Sequence, residues 1–107
     1  MLAQQLIARL PPKYPVDPRN RPIALAVLSE LENVGKLLPT CVVDGDEEGS
    51  IYCIWPGWPN IACIFNQGYT RVERCWDSDE RADEHWDFSP QATAATCEKV
   101  CELLRIQ

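Results

Sequence analysis

The chain has 107 residues, of which 46% are hydrophobic, and a formal net charge of −6 at pH 7. This length predicts a single domain whose core needs no support from a metal or a disulfide. The negative charge argues against direct binding to nucleic acid, because phosphate neutralisation dominates that affinity, and it favours a partner with a basic surface.

The charge is unevenly distributed along the chain. The segments Asp44–Glu48 and Glu73–Asp87 carry net charges of −4 and −5, whereas the N-terminal arm is basic. The longest apolar run, Ile23–Leu28, is far shorter than a membrane span. No basic segment precedes the first apolar residues and no cleavage site follows them, so we expect a cytoplasmic protein with its six cysteines reduced.

The N-terminal third of the chain predicts two helices joined by an arm. Leucines at four-residue spacing predict a short helix over Leu2–Leu10. The proline-rich segment Pro11–Pro22 predicts an extended arm without regular structure. A proline at the first position and an apolar stripe then predict an amphipathic helix over Pro22–Leu38, which Pro39 ends.

The stretch from Thr40 to Trp76 predicts a sheet. Apolar and polar residues alternate there, with β-branched and aromatic side chains bounded by Gly, Pro and Asn, as is typical of half-buried antiparallel strands. An acidic turn, a Pro-Gly-Trp-Pro loop and an Asn-Gln-Gly turn separate the runs. The predicted strands are Thr40–Val43, Ser50–Trp55, Asn60–Phe65 and Tyr69–Trp76.

The C-terminal third predicts a loop and a helix. Asp77–Asp87 is mostly charged and is expected to be a solvated loop. Ser89 followed by Pro90 is a helix-start signal, and the apolar stripe behind it predicts a helix over Pro90–Arg105.

These elements predict an α+β fold. We expect a four-stranded antiparallel meander with the helices Pro22–Leu38 and Pro90–Arg105 packed on one face. The single domain would comprise a short helix and arm (1–21), a helix (22–38), the sheet (40–76), an acidic loop (77–89) and a helix (90–105). The predicted core is Ile23, Val27, Leu31, Val34, Ile51, Cys53, Trp55, Ile61, Cys63, Phe65, Cys97, Val100, Cys101 and Leu104.

The cysteines allow a metal site as one interpretation. Cys97 and Cys101 are one helical turn apart, so two thiolates there could supply half of a zinc site. The chain has no Cys-x-x-Cys motif, and His85 is its single histidine, so the other ligands would have to come from the sheet. We favour the alternative that the cysteines occupy positions for small apolar residues, and we expect no metal and no other cofactor.

A disulfide is the second interpretation of the cysteines. If the loop between the second and third strands is centred on Trp58, Cys53 and Cys63 lie directly opposite each other. The two thiols could then form a bridge in an oxidising environment. A register slip of one residue would remove this pairing.

The sequence supports a calcium site and a Cys-His nucleophile less well than it supports a structural role for the same residues. Asp44–Ile51 resembles the first part of a calcium-binding loop, but Trp55 stands where that loop needs a glutamate. A Cys-His nucleophile would need His85 beside a reactive thiol, and acidic surroundings raise the pKa of a thiol. The sequence therefore predicts a charged turn, a solvated loop and a protein that is not an enzyme.

Tryptophan beside acidic residues is typical of a protein-binding surface with an apolar anchor and a charged rim. Trp58 lies at the tip of a loop, and the alternative for it is to fold back over its own hairpin. We place the partner contact on this loop and on the two acidic segments. The candidate partner-binding residues are Trp58, Asp44, Asp46, Glu47, Glu48, Asp77, Asp79, Glu80 and Trp86.

The segment Leu38-Pro39, Asp44-Gly45 and Ile51-x-Cys53-x-Trp55 resembles a loose family of small bacterial proteins. In that family a helix ending in Leu-Pro precedes an Asp-Gly-Gly turn and an Ile-x-Leu-x-Trp strand. Here acidic residues displace the second glycine, and Cys53 replaces the leucine. The resemblance implies a compact, non-catalytic accessory protein of bacterial or phage origin, and it assigns no catalytic residues.

We therefore expect a non-catalytic acidic protein that binds a basic or nucleic-acid-binding partner and neutralises it. Antitoxins, immunity proteins and phage-encoded inhibitors act in this way. One alternative is a small metal-binding protein or enzyme that uses Cys97, Cys101 and His85. Another is a structural adaptor that dimerises through an exposed sheet edge.

Overall fold

The computed structural model describes residues 2–10, 15–37, 40–78 and 80–105. These residues form three helices and five strands, which confirms the α+β class. The helices are α1 (Leu2–Ala8), α2 (Asn20–Asn33) and α3 (Thr93–Arg105), and the strands are β1 (Val42–Gly45), β2 (Ile51–Trp55), β3 (Asn60–Asn66), β4 (Tyr69–Cys75) and β5 (Glu84–Phe88). None of the helices in these ranges is long and apolar enough to cross a membrane.

The strands form one antiparallel meander in the order β1-β2-β3-β4-β5. α2 packs on β2 and β3, and α3 packs on β3 and β4. Their apolar side chains share one cluster with alternate residues of the sheet, so the helices cover the same face, as predicted. The sheet contributes to this covered face Val43, Ile51, Cys53, Trp55, Ile61, Cys63, Phe65 and Val72. The opposite side of the sheet is called the open face below.

The fifth strand corrects the prediction of a four-stranded sheet. β5 lies inside the segment Asp77–Asp87 that was expected to be a solvated loop. Its charges misled the prediction because arginines on β4 neutralise two of them, at 2.6 Å from Arg71 to Asp87 and 2.6 Å from Arg74 to Glu84. The alternation of Trp86 and Phe88 with charged neighbours was the available signal for a strand.

Helix α2 begins two residues before Pro22 and ends well before Leu38, which lies outside the described residues. Gly35 has a φ of 73°, and two hydrogen bonds close the helix end in a Schellman motif. Lys36 N–H donates to Leu31 O at 2.8 Å, and Gly35 N–H donates to Glu32 O at 3.1 Å. The prediction that Val34 belongs to the core is therefore wrong, because Val34 lies at the helix end and is 56% exposed.

The other element boundaries shift by a few residues. β1 extends over Val42–Gly45 instead of Thr40–Val43, so the acidic turn begins later than predicted. α1 ends at Ala8. β4 ends at Cys75, before Trp76. α3 begins at Thr93, because Ser89 starts a turn that Ala92 N–H closes by donating to Ser89 O at 2.9 Å.

Most of the predicted core is confirmed, and the N-terminal helix adds to it. Ten predicted positions are buried, and Ile23, Cys101 and Leu104 are partly buried against the same cluster. The sequence did not indicate that α1 packs on the domain, yet its apolar face is buried and Glu32 Oε1 accepts a hydrogen bond from Ala3 N–H at 2.8 Å. The core residues missed by the prediction are Ala3, Leu6, Ile7, Ala24, Leu28, Leu37, Cys41, Val43, Val72 and Leu103.

Candidate functional site

The meander separates the predicted binding residues into two groups. Because consecutive strands run in opposite directions, the β2–β3 and β4–β5 connections lie at one end of the sheet and the β1–β2 and β3–β4 turns at the other. We call Trp58, Trp76, Arg74 and Arg81, at the first end, the aromatic corner. Residues 46–49, at the second end, are the acidic turn.

Trp58 is the most exposed large apolar side chain of the described residues, at 61%. Its ring lies edge-to-face on Trp76, with ring centres 6.1 Å apart and an interplanar angle of 76°. This geometry favours the pair because the positive edge of one ring meets the negative face of the other. The interpretation of Trp58 as a lid folded over its own hairpin therefore does not describe its position.

Two arginines lie over the second tryptophan of the corner. Arg81 Cζ is 4.2 Å from the centre of the Trp76 ring, and Arg74 Cζ is 5.6 Å from it. A guanidinium over an indole face is attracted by the ring quadrupole. Trp76 is therefore held by two cations and by its contact with Trp58, and it supports the exposed Trp58 ring.

Short hydrogen bonds shape the two loops of the corner. Gly57 N–H donates to Asn60 Oδ1 at 2.9 Å, which closes the turn before β3. Trp76 N–H donates to Asp83 Oδ1 at 3.0 Å, and Glu80 N–H donates to Ser78 Oγ at 3.1 Å. All three bonds are made within the chain, so the corner is built in the free protein.

Trp86 supports the corner from the covered face. Arg74 Cζ lies 5.8 Å from its ring centre, and Lys99 Nζ of α3 lies 4.7 Å from it. Arg74 also forms the 2.6 Å ion pair with Glu84, and this hydrogen-bonded pair lowers the pKa of the Glu84 carboxyl. Trp86 is half-buried against the core cluster, so it belongs to the framework beneath the exposed ring.

The acidic turn uses its first carboxylate to hold its own backbone. Asp46 Oδ1 accepts hydrogen bonds from Glu48 N–H and Ser50 N–H, both at 3.0 Å. Such an aspartate satisfies turn donors in the manner of an Asx-turn. Asp44, on β1, accepts a hydrogen bond from Gly45 N–H at 2.8 Å.

Asn20 clamps this end of the sheet to α2. Its side chain is 1% exposed; Nδ2 donates to Gly49 O at 2.7 Å, and Oδ1 accepts from Gln67 N–H at 2.7 Å. Asp17 N–H also donates to Gly49 O, at 3.1 Å. Sequence reasoning missed Asn20, because the helix was expected to begin at Pro22 and nothing in the pattern placed an amide between two distant turns.

A cleft of about 480 Å³ lies beside the acidic turn. Its lining residues are Gly45, Asp46, Glu47, Glu48, Tyr52 and Tyr69. Burial and a hydrogen bond to Asp46 raise the pKa of Tyr52 to about 12. The acids of this end therefore adjoin tyrosines, and no tryptophan lines the cleft.

The predicted binding residues thus do not form one continuous surface. The structure brings Trp58 together with the loop that holds Asp77 and Glu80, and it links Trp86 to that loop through Arg74. It places the predicted acids of the first segment at the opposite end of the sheet. Those acids are Asp44, Asp46, Glu47 and Glu48, and Asp79 lies outside the described residues.

The predicted cysteine register is confirmed, since Cys53 lies directly opposite Cys63. All six cysteines are free thiols. The neighbouring Cys41 thiol and burial raise the pKa of Cys53, and burial raises the pKa of Cys63. Burial also raises the pKa of Cys97, to about 11. These thiols are therefore poor sources of thiolate at neutral pH.

The residues of the alternative metal or catalytic site are not together. His85 lies on the open face, opposite Glu73, whereas Cys97 belongs to the cluster on the covered face. The sheet lies between them. Within the described ranges, no group of three or more His, Cys, Asp or Glu side chains is placed to hold a metal ion.

Comparison with models of protein families, with curated proteins and with solved structures finds no match to this chain. The resemblance drawn from the Asp-Gly turn and the Ile-x-Cys-x-Trp strand therefore stays a prediction.

Proposed function

We propose that this is a non-catalytic binding protein that contacts a protein partner through the aromatic corner and neutralises it. The observation that carries the proposal is the exposure of Trp58, 61%, on a ring that is already supported by Trp76. Water contacts most of a large apolar side chain there, so covering it with a partner would release a favourable free energy.

The support of Trp58 matters as much as its exposure. An anchor side chain that is held before binding loses little conformational freedom on association, which leaves more of the interaction for affinity. Tryptophan and arginine are the residues most enriched among binding hot spots. The corner presents both, with Arg81 against the Trp76 ring that Trp58 contacts.

The charge of the molecule favours a basic partner. The net charge is −6, and Asp77 and Glu80, in the loop after β4, are exposed. A surface of one sign steers an oppositely charged partner during diffusion, and this effect does not require contact with every charge. We therefore assign the acidic turn at the far end a role in long-range attraction, not in the contact itself.

A binding function is also favoured over catalysis by the state of three buried thiols, Cys53, Cys63 and Cys97. A nucleophilic cysteine needs a lowered pKa and a base within hydrogen-bonding reach. The raised pKa values of Cys53, Cys63 and Cys97, and the position of His85 on the other face of the sheet, support neither requirement.

The proposal is tested by capture of proteins from lysate of the source organism with tagged wild type, Trp58→Ala and Val42→Ala. Val42 is the matched control because it is a 49% exposed apolar residue on the edge strand β1, outside the two loops that form the corner. We expect one protein retained by wild type and Val42→Ala and lost with Trp58→Ala. Removing an anchor tryptophan costs about 2 kcal/mol, or about 30-fold in affinity. Equal retention by all three forms would contradict the proposal.

A further inference from the structure

The outer edge of β5 is an unpaired strand edge. β5 is last in the sheet order and pairs only with β4, while α3 packs mainly on β3 and β4. Among the described residues, no backbone hydrogen bond outside the sheet involves residues 84–88. The strand contains neither proline nor lysine, two residues that commonly protect such edges. The other edge, β1, has four residues and adjoins α1.

The register of the sheet determines which backbone groups of β5 point outward. Asn66 and Tyr69 close a two-residue turn, so they are a hydrogen-bonded pair. Alternation along the ladder then directs the N–H and C=O groups of Val72 to β5, where Trp86 is its partner. The N–H and C=O groups of His85 and Asp87 consequently point away from β4.

The charges of this edge do not repel a second copy of the same strand. Arg71 pairs with Asp87 and Arg74 with Glu84, each at 2.6 Å, which reduces the negative charge of the edge without removing the Asp87 carboxylate as an acceptor. When two β5 strands lie antiparallel about a two-fold axis at Trp86, His85 of each copy faces Asp87 of the other. An imidazole N–H can donate a hydrogen bond to a carboxylate directly across the strands, whereas like charges directly opposite each other destabilise a sheet.

Charge also selects this register over its neighbours. An axis at Asp87 would place two Asp87 side chains opposite each other, and an axis at His85 would place Asp87 opposite Asp83. The axis at Trp86 avoids both clashes. In this register His85 of one copy and Asp87 of the other form a hydrogen-bonded backbone pair, so the outward N–H and C=O groups of both residues are used.

We propose that β5 is a homodimerisation edge, through which two copies of this chain pair antiparallel about Trp86. The two five-stranded sheets would join into one continuous sheet with its helices on one side. The two-fold axis would place the two aromatic corners at opposite ends of the joined sheet, so the dimer would be bivalent. A single short strand buries little area, so the dimer is weak and depends on concentration.

The test is sedimentation equilibrium of the full chain, from about 1 μM to about 500 μM as suits a weak interface. Wild type should dimerise within this range. His85→Asp should weaken the dimer about tenfold, because it converts two attractive pairs into two repulsive ones. His85→Lys should keep it at least as strong as wild type. Gln91→Glu, which adds a negative charge at an exposed position outside β5, should leave it unchanged.

Backbone amide exchange on wild type gives a second readout that no substitution disturbs. On raising the concentration, exchange at His85 and Asp87 should slow, while the Trp86 amide, already paired with β4, should not change. A chain that stays monomeric at the highest concentration would overturn the inference. So would a dimer that is equally strong in His85→Asp and His85→Lys, since its interface would lie elsewhere. Both measurements are made without a partner protein, so neither result bears on the capture of a partner through Trp58.

Discussion

At the acidic turn, the Asp46 carboxylate lies within 3.0 Å of two backbone N–H groups, and Asn20 and Gly49 tie the turn to α2. At the aromatic corner, Asp77 and Glu80 are exposed, and an aromatic ring with 61% of its surface in water stands next to them. The two ends have similar acidic composition. At one end an acid holds the fold together, and at the other the acids surround a surface that is left open.

The role of an acidic residue therefore depends on the hydrogen-bond donors near it. A carboxylate beside free turn N–H groups is used to satisfy them. At the corner Asp83 plays this part for Trp76 N–H, whereas the Asp77 and Glu80 carboxylates accept no hydrogen bond from the described residues and stay available to another molecule. If this distinction holds, substitutions at the turn end should change stability, and substitutions at the corner should change binding.

The largest expected effect is a difference in the free energy of unfolding between alanine variants of Trp55 and Trp58, two tryptophans of the same hairpin. Trp55 is 3% exposed and its Nε1 donates to Lys36 O at 3.3 Å, so Trp55→Ala should lower the free energy of unfolding by about 3–5 kcal/mol. Trp58→Ala should lower it by less than about 1 kcal/mol, because its ring is mostly in water. Urea unfolding of both variants measures this. A sharp loss of stability in Trp58→Ala would make the corner a structural element.

The next effect should come from the clamp at the turn end. Asn20→Ala leaves Gln67 N–H without its partner and removes one of two donors to Gly49 O. Losing the buried bond to Gly49 O and the partly buried bond from Gln67 N–H should lower the free energy of unfolding by about 2 kcal/mol together. Asn33→Ala, at the exposed last position of α2, is the control and should cost less than about 1 kcal/mol. Equal midpoints of thermal unfolding for the two variants would contradict the clamp.

Gly49, in the acidic turn, and Gly35, at the end of α2, provide a further test of how tightly the turn end is packed. Both have positive φ, 82° at Gly49 and 73° at Gly35, so alanine is strained at either. A Cβ at Gly49 would also lie 2.9 Å from Asp17 N, whereas one at Gly35 would meet nothing within 4 Å. Gly35→Ala should therefore cost about 1 kcal/mol and Gly49→Ala about 2 kcal/mol or more. Chemical denaturation resolves this order, and the reverse order would show that Asp17 yields freely.

The smallest effect concerns pH and the ion pairs of β5. The hydrogen bond from Arg71 lowers the pKa of Asp87 in the folded protein. A lowered pKa adds stability that is present above the ordinary carboxyl pKa, about 4, and is lost as pH falls through the folded value. The difference in stability between wild type and Arg71→Gln should therefore be small at pH 7 and vanish toward about pH 2.

The control for this titration is Arg21→Gln, because Arg21 forms no ion pair with the described residues. Its unfolding midpoint should follow the wild-type curve in parallel as pH falls. A wild-type advantage over Arg71→Gln that grows in acid would show that Asp87 is not the group responsible.

Much of the covered face could be predicted from sequence, because alternation is a local signal that does not depend on distant partners. Ile51, Cys53 and Trp55 point to the core as their spacing indicates. The Cys53–Cys63 register followed from the length of the Trp58 loop alone. These features required no knowledge of what the strands pair with.

The rest depended on partners that are remote along the chain. β5 was missed because its charges suggested a loop, and the arginines that neutralise them lie on β4. Asn20 was missed because its two hydrogen-bond partners, Gly49 O and Gln67 N–H, lie 29 and 47 residues away along the chain. The predicted binding site was divided for the same reason, since strand direction, not composition, decides which turns share an end of the sheet.

The most direct test compares the two ends in one titration. Calorimetry with the captured partner would use wild type, Trp58→Ala and the double variant Glu47→Ala with Glu48→Ala, each at low and moderate salt. We expect Trp58→Ala to weaken binding by about 30-fold at both salt concentrations. The double variant should bind within about threefold of wild type, with the difference confined to low salt. Normal affinity in Trp58→Ala together with lost affinity in the double variant would contradict the account and move the contact to the acidic turn.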